Sequence, residues 1–115
     1  MALSEFEVER IKIAMDGFLA KRRPPVEIRE EVDLAFRIED QSVVIFEVRA
    51  YWRDRSQKIE QPIAKTTYVR KSGIWKIYWQ RADLKWHGYQ PTAEVKDIED
   101  FLNVVDKDEH GCFWG

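Results

Sequence analysis

At Val32 the apolar periodicity of this chain changes from one residue in every three or four to one in two, and that switch limits the fold more than any other feature. Upstream, Val8, Ile11, Met15 and Phe18 recur at helical spacing and make one face. Ser4-Glu5-Phe6-Glu7 has the form of a capping box, in which a hydroxyl takes the third amide and a carboxylate reaches back to the cap. Lys21-Arg22-Arg23 stand where the negative end of a helix favours cations, and Pro24-Pro25 forbid continuation. The spacing predicts a first helix over about 5–21.

Downstream, Val32, Leu34, Phe36 and Ile38 alternate with Asp33, Ala35, Arg37 and Glu39, the pattern of a half-buried strand. Glu39-Asp40-Gln41-Ser42 supply a turn. A second strand runs to about Trp52, with Val44, Phe46, Val48, Ala50 and Trp52 on one face, expected to be the core side, and Glu47, Arg49 and Tyr51 on the other. Arg53 to Gln61 reads as a charged loop closed by Pro62. Ile63–Arg70 and Ile74–Arg81 make two more strands about the connection Lys71-Ser72-Gly73. In the last strand Trp75, Ile77 and Trp79 form the apolar face and Lys76, Tyr78 and Gln80 the other. The strand before it is ambiguous, because Ile63/Val69 and Ala64/Tyr68 fall on opposite faces. Asp83 to Pro91 is an irregular aromatic segment, and Thr92 is placed to cap a second helix with Val95, Ile98, Leu102 and Val105 as its stripe.

Helix, four strands, helix with tight connections implies an α+β fold: a four-stranded antiparallel meander flanked by an N-terminal and a C-terminal helix packed on one face, the other face open. Ile11, Met15, Phe36, Phe46, Val48, Trp75, Ile77, Ile98 and Leu102 are the expected core. The 115 residues make one domain, 1–115. No apolar run exceeds the four residues Val43-Val44-Ile45-Phe46, so no membrane span is expected. The acidic start lacks the apolar stretch of a signal peptide, and the single Cys112 excludes an internal disulfide; both point to a cytoplasmic protein.

Three stretches are distinctive: Lys21-Arg22-Arg23-Pro24-Pro25, Trp75-Lys76-Ile77-Tyr78-Trp79-Gln80-Arg81-Ala82-Asp83-Leu84-Lys85-Trp86-His87-Gly88-Tyr89, and Asp106 through Gly111-Cys112-Phe113-Trp114-Gly115. With them the chain resembles, from its first helix to its last residue, the small bacterial proteins grouped as domain of unknown function 3024. The resemblance implies a bacterial, cytoplasmic, single-domain protein and brings no catalytic residues with it.

The residues themselves argue against most chemistries. Lys21-Arg22-Arg23 could clamp a phosphate, but helix-end charge complementarity followed by a proline stop is the favoured explanation. Asp106-Lys107-Asp108-Glu109-His110-Gly111 imitates the start of a calcium loop, yet His110 stands where an oxygen ligand belongs and the closing glutamate is missing. His87, His110 and Cys112 have no zinc-ligand spacing, so neither metal nor cofactor is expected. Cys112 between Gly111 and Phe113 reads as a small buried hydrophobe rather than a nucleophile, and Asp83 and His87 share a face only if that stretch is helical. Two histidines are a thin supply for acid–base work, which favours a binding module over an enzyme. The apolar tail from Gly111 to Gly115 is expected to dock on the domain, since Phe113 and Trp114 are costly to leave in water.

Charge provides the functional signal. The net charge of −2 conceals +5 over residues 61–93 and −5 over residues 94–115. The basic segment is also aromatic, and cations with exposed rings suit phosphates and unpaired bases. The candidate ligand-binding residues are Arg49, Tyr51, Lys65, Lys76, Tyr78, Arg81, Lys85, Trp86 and Tyr89, with Arg37 joining them on the open sheet face. Single-stranded nucleic acid, or another anionic ligand, is the first partner to consider. A protein interface on the same face, most simply a homodimer, is the alternative, and core tryptophans with a patch neutralised by the acidic segment would account for the signal without any ligand.

Overall fold

A computed structural model describes residues 3–114. Helix α1 spans Glu5–Arg22, and its capping box is formed: the Ser4 hydroxyl accepts from the Glu7 amide at 3.1 Å while Glu7 Oε1 accepts from the Ser4 amide at 2.8 Å. Strands β1 (Val32–Glu39), β2 (Ser42–Tyr51), β3 (Asp54–Val69), β4 (Ile74–Gln80) and β5 (Trp86–Gly88) follow as an antiparallel meander in sequence order. A two-residue β6 (Glu94–Val95) also pairs with β4, and α2 (Ile98–Lys107) completes the order. The fold is α+β with two helices on one sheet face, but the sheet has six strands where four were expected.

The extra pairing comes from three places. Most of the segment expected as a charged loop, Arg53 to Gln61, is the first half of β3: after the turn at Arg53 it pairs along β2, with Gln61 opposite Glu47 and Lys58 opposite Ala50. There the β2–β3 hairpin runs out beyond the helices, so both its faces meet water and its side chains are charged for that reason. The aromatic segment after Asp83 supplies β5, and Glu94–Val95, expected inside the second helix, pairs with Lys76 and Trp75 instead. Helix α2 therefore begins at Ile98 after Asp97, not at Thr92.

One core lies between the helices and the sheet. Ile11, Met15 and Phe18 of α1 and Ile98, Phe101, Leu102 and Val105 of α2 meet Leu34, Val43, Ile45, Ala64, Trp75 and Ile77 of the sheet. Cross-strand partners share a face, so the register assigns every strand residue to a side. This reverses the expectation for β2: Val43 and Ile45 point to the helices, while Val44, Phe46, Val48 and Ala50 lie on the far side. Val48 and Phe36 are half-buried rather than buried; Val48 lies on the helix-free face where the β2–β3 arm begins, opposite Asp33 and Glu60. The bulge at Ile63 explains the ambiguity of β3. Ile45 pairs with Ala64 and Phe46 with Pro62, so the unpaired Ile63 joins Ala64 in the core and the alternation resets around it.

The C-terminal tail is docked. Asp108, at a left-handed φ of 41°, ends α2, and its carboxylate accepts the amides of Cys112, Phe113 and Trp114 at 2.8, 3.1 and 2.9 Å. Phe113 is buried against the Tyr89 ring, and Trp114 Nε1 donates to the Val105 carbonyl at 2.8 Å. Gly115 lies outside the described residues.

Candidate functional site: the helix-free sheet face

Register places Lys65 opposite Tyr78, Thr67 opposite Lys76, and Gln80 opposite Trp86, all on the side away from the helices. Lys65 Nζ lies 5.8 Å from the centre of the Tyr78 ring and 5.7 Å from that of Trp86. Both distances suit a cation attracted to ring faces. Beneath them Val44 and Phe46 are 3% and 6% exposed although no helix covers them. Phe46 is flanked by Ala35 and Pro62 on the neighbouring strands and roofed by the Arg37 guanidinium, 4.7 Å from its ring centre. The long Arg37 side chain thus covers part of the apolar floor while its charge stays at the surface.

Five of the nine predicted residues belong elsewhere. Arg49 and Tyr51 point to the helix side of the sheet, because Arg49 pairs with Val32 and Ile59 in the same alternation as Val43 and Ile45. Tyr89 is 2% exposed, and its hydroxyl pKa is pushed up chiefly by burial. Arg81 lies just past the end of β4, and its guanidinium turns to the Trp79 ring, 5.7 Å from its centre, on a residue that packs against the core. Lys85 lies in the turn between β4 and β5, exposed at the margin of the face. Lys65, Lys76, Tyr78 and Trp86 remain as one cluster.

The acidic segment does not neutralise that cluster by direct pairing. Asp97 and Glu99 pair with Arg10 of α1, at 3.6 and 3.5 Å. Among the described residues, Lys65, Lys76, Arg81 and Lys85 form no salt bridge. Glu94, opposite Lys76 on β6, is the one acid that the register brings beside the patch from that segment. Arg37 is different: it is held by Glu60 at 2.6 Å and Glu39 at 3.4 Å, which raise its pKa, Glu60 foremost, and it serves the floor rather than a ligand.

The other chemistries considered from the sequence are engaged structurally. Arg22 donates to the Asp106 carboxylate and carbonyl at 2.9 and 2.7 Å and lies 4.4 Å from the Trp114 ring centre. Arg23 forms a two-pronged pair with Asp33 at 2.8 and 2.7 Å, which lowers the Asp33 pKa. Those geometries favour the helix-end role of this basic run over a phosphate clamp. Asp83 and His87 meet without a helix, Nε2 to Oδ2 at 2.8 Å, because Leu84 takes a left-handed φ of 62° and closes a tight turn. The Asp83 pKa is lowered first by the Lys85 amide and then by His87. Cys112 faces the His110 carbonyl, and burial followed by the Asp108 charge pushes its thiol pKa up, the reverse of what a nucleophile needs. Among the described residues no three His, Cys, Asp or Glu side chains converge as a metal site requires.

Arg37 over Phe46 and the inversion of β2 were the features hardest to see in the sequence, because apolar residues occupy both faces of Val43–Phe46 and alternation alone does not say which face meets the helices. The family model described as Domain of unknown function (DUF3024) matches residues 3–115. No curated protein and no solved structure matches the chain.

Proposed function

The chain belongs to the DUF3024 family, and we propose that it is a non-enzymatic binding module for single-stranded nucleic acid. The ligand would lie on the helix-free face, with Lys65 and Lys76 drawing in phosphates and Tyr78 and Trp86 stacking bases. The observation that carries this reading is Lys65 Nζ poised over two aromatic rings with no carboxylate paired to it. A stacked base gains about 1–3 kcal/mol and tolerates any sequence, and lysines add a salt-sensitive term. Four strands offering aromatics on an uncovered face are used in this way by some RNA-binding modules, which is an analogy of architecture. The bacterial cytoplasm, the setting that the family resemblance implies, suits a chain whose one thiol is free. No helix among the described residues is long and apolar enough to cross a membrane.

The test is a fluorescence-polarisation titration of short labelled single strands at low and high salt, with wild type, Lys65→Glu and Tyr78→Ala. Affinity should fall steeply with salt, and each variant should weaken it by about tenfold or more, the equivalent of about 1.4 kcal/mol. No binding at low salt, or equal binding by Lys65→Glu, overturns the proposal. A homodimer through this same face would instead show concentration-dependent size with little salt dependence.

A further inference from the structure

Below the bulge at Ile63, β3 has β2 on one side and no strand on the other, since β4 pairs with it only from Ala64 to Val69. The hydrogen-bond directions along this edge follow from one bond. The Ala50 amide donates to the Glu31 carbonyl, toward β1, so the alternate residues Arg49 and Glu47 turn toward β3. Their partners Ile59 and Gln61 therefore bond inward, and Lys58 and Glu60 turn their N–H and C=O groups outward into solvent. The next outward residue, Pro62, has no N–H to offer and ends the free edge.

We propose that this edge is a homodimerisation surface, occupied by the same edge of a second copy running antiparallel, with Ile59 opposite the partner's Ile59 and Lys58 opposite the partner's Glu60. Outward residues must oppose outward residues, which leaves three nearby registers. Lys58 opposite Lys58 sets like charges together, and Glu60 opposite Glu60 does the same while placing Pro62 against Lys58. Only the register between them pairs opposite charges, and two-fold symmetry makes it do so twice. It forms four backbone hydrogen bonds and buries Ile59, 46% exposed in the single chain, against its own copy.

The charges on the edge fit that occupant. Arg37 is shared between Glu39 and Glu60, so Glu60 has half a cation within its own chain and accepts a second from the partner's Lys58. Lys58 reaches the Glu30 carbonyl and a carboxylate that is 94% exposed, which leaves ammonium protons for an incoming glutamate. Edges rich in Lys, Glu and Pro resist indiscriminate pairing. Here that composition leaves one register open. The two-fold axis stands perpendicular to the sheet, so both helix-free faces lie on the same side of the dimer. The proposal does not rest on the nucleic-acid reading, and its test contains no nucleic acid.

Sedimentation measured over a concentration series should show a reversible dimer for wild type. Lys58→Glu should raise its dissociation constant about tenfold or more, and Lys58→Glu/Glu60→Lys should restore it, because the swap recreates both cross-copy pairs. In a Cys112→Ser background, Ile59→Cys should oxidise to an inter-chain disulfide, whereas Gln61→Cys, displaced from the two-fold axis, should not. A monomer at every concentration up to about 1 mM, a swap that fails to restore the dimer, or cross-linking by Gln61→Cys as fast as by Ile59→Cys overturns the proposal.

Discussion

Removing the Asp108 carboxylate should release the C-terminal tail and lower the stability of the whole domain. Three amides, those of Cys112, Phe113 and Trp114, converge on its two oxygens. Hydrogen bonds to a charged group contribute about 1.5–3 kcal/mol each, so the three together would exceed about 4 kcal/mol if the amides found no substitute. Water replaces part of that once the tail lifts, and the loss is then limited by what docking contributes. Phe113 is buried and Trp114 half-buried; an aromatic burying about 150 Å² gains roughly 4 kcal/mol at about 25 cal/mol per Å², and ordering the segment offsets some of it. The expected cost of Asp108→Gly is about 2–4 kcal/mol, or roughly 8–16 °C in melting temperature for a domain of this size. Glycine is the cleanest probe, because position 108 holds a φ of 41° that alanine would add strain to. Asp108→Asn, which keeps one acceptor, should fall between wild type and glycine. Calorimetry gives the melting shift, and hydrogen exchange of the Trp114 indole, bonded to the Val105 carbonyl, reports the tail itself. An Asp108→Gly protein melting within about 2 °C of wild type, with that indole still protected, refutes the reasoning.

Glu7 caps α1 and pairs with Arg70, and these bonds, Arg70 foremost, lower its pKa from 4.5 to about 2. A depressed carboxylate stabilises the fold fully above its unfolded value and progressively less as pH falls toward the folded one. The stability gap between wild type and Glu7→Gln, measured by urea unfolding, should therefore be constant above about pH 5 and close between 4.5 and about 2. Tyr89→Phe should leave oligonucleotide affinity unchanged, since that ring packs on Phe113 inside the core; a loss comparable to Tyr78→Ala would return Tyr89 to the binding face. Burial and the Asp108 charge push the Cys112 thiol up, so it should react slowly with a disulfide reagent at neutral pH and much faster in Asp108→Gly, as absorbance kinetics would show.

The parts of the fold that were legible in the sequence are those in which one local pattern faces one environment. Helix α1 carries its cap, stripe and stop in contiguous residues, and β1 and β4 alternate in sequence because one side, with Leu34, Trp75 and Ile77, is buried among the core residues under the helices. The failures share a cause. Residues 54–61 form a strand without an apolar face, because the arm lies beyond the helices and only backbone pairing marks it. The face of β2 was misassigned because Val43 to Phe46 are buried on both sides, Val43 and Ile45 among the core residues under the helices and Val44 and Phe46 on the helix-free side, where Arg37 lies over Phe46. That inversion carried Arg49 and Tyr51 off the candidate site. Tyr89 was lost for a longer-range reason: its partner is Phe113, in a tail whose course depends on Asp108.

The same contacts explain what the three distinctive stretches have in common. Arg22, from the basic run that ends α1, holds Asp106 and lies over Trp114, both in the C-terminal stretch. Tyr89, from the aromatic stretch, packs on Phe113 of that same tail, and Arg23 ties the end of α1 to Asp33 of β1. Each of the three therefore contributes to one joint where α1, the β5 segment and the tail close over the core. Their chemistry, guanidinium on carboxylate and ring on ring, is that of a structural lock, which accounts for motifs this distinctive without metal-ligand or nucleophile spacing. The chemistry left unpaired lies on the opposite side of the sheet. Lys65 and Lys76 form no salt bridge among the described residues, and Tyr78 and Trp86 lie outside the main core, so substitutions there should alter binding more than the melting temperature, and substitutions at Arg22 or Asp106 should do the reverse. Measuring both quantities on Lys76→Glu and Arg22→Ala separates the two surfaces; a matched loss of stability in both variants would mean that the helix-free face is structural as well.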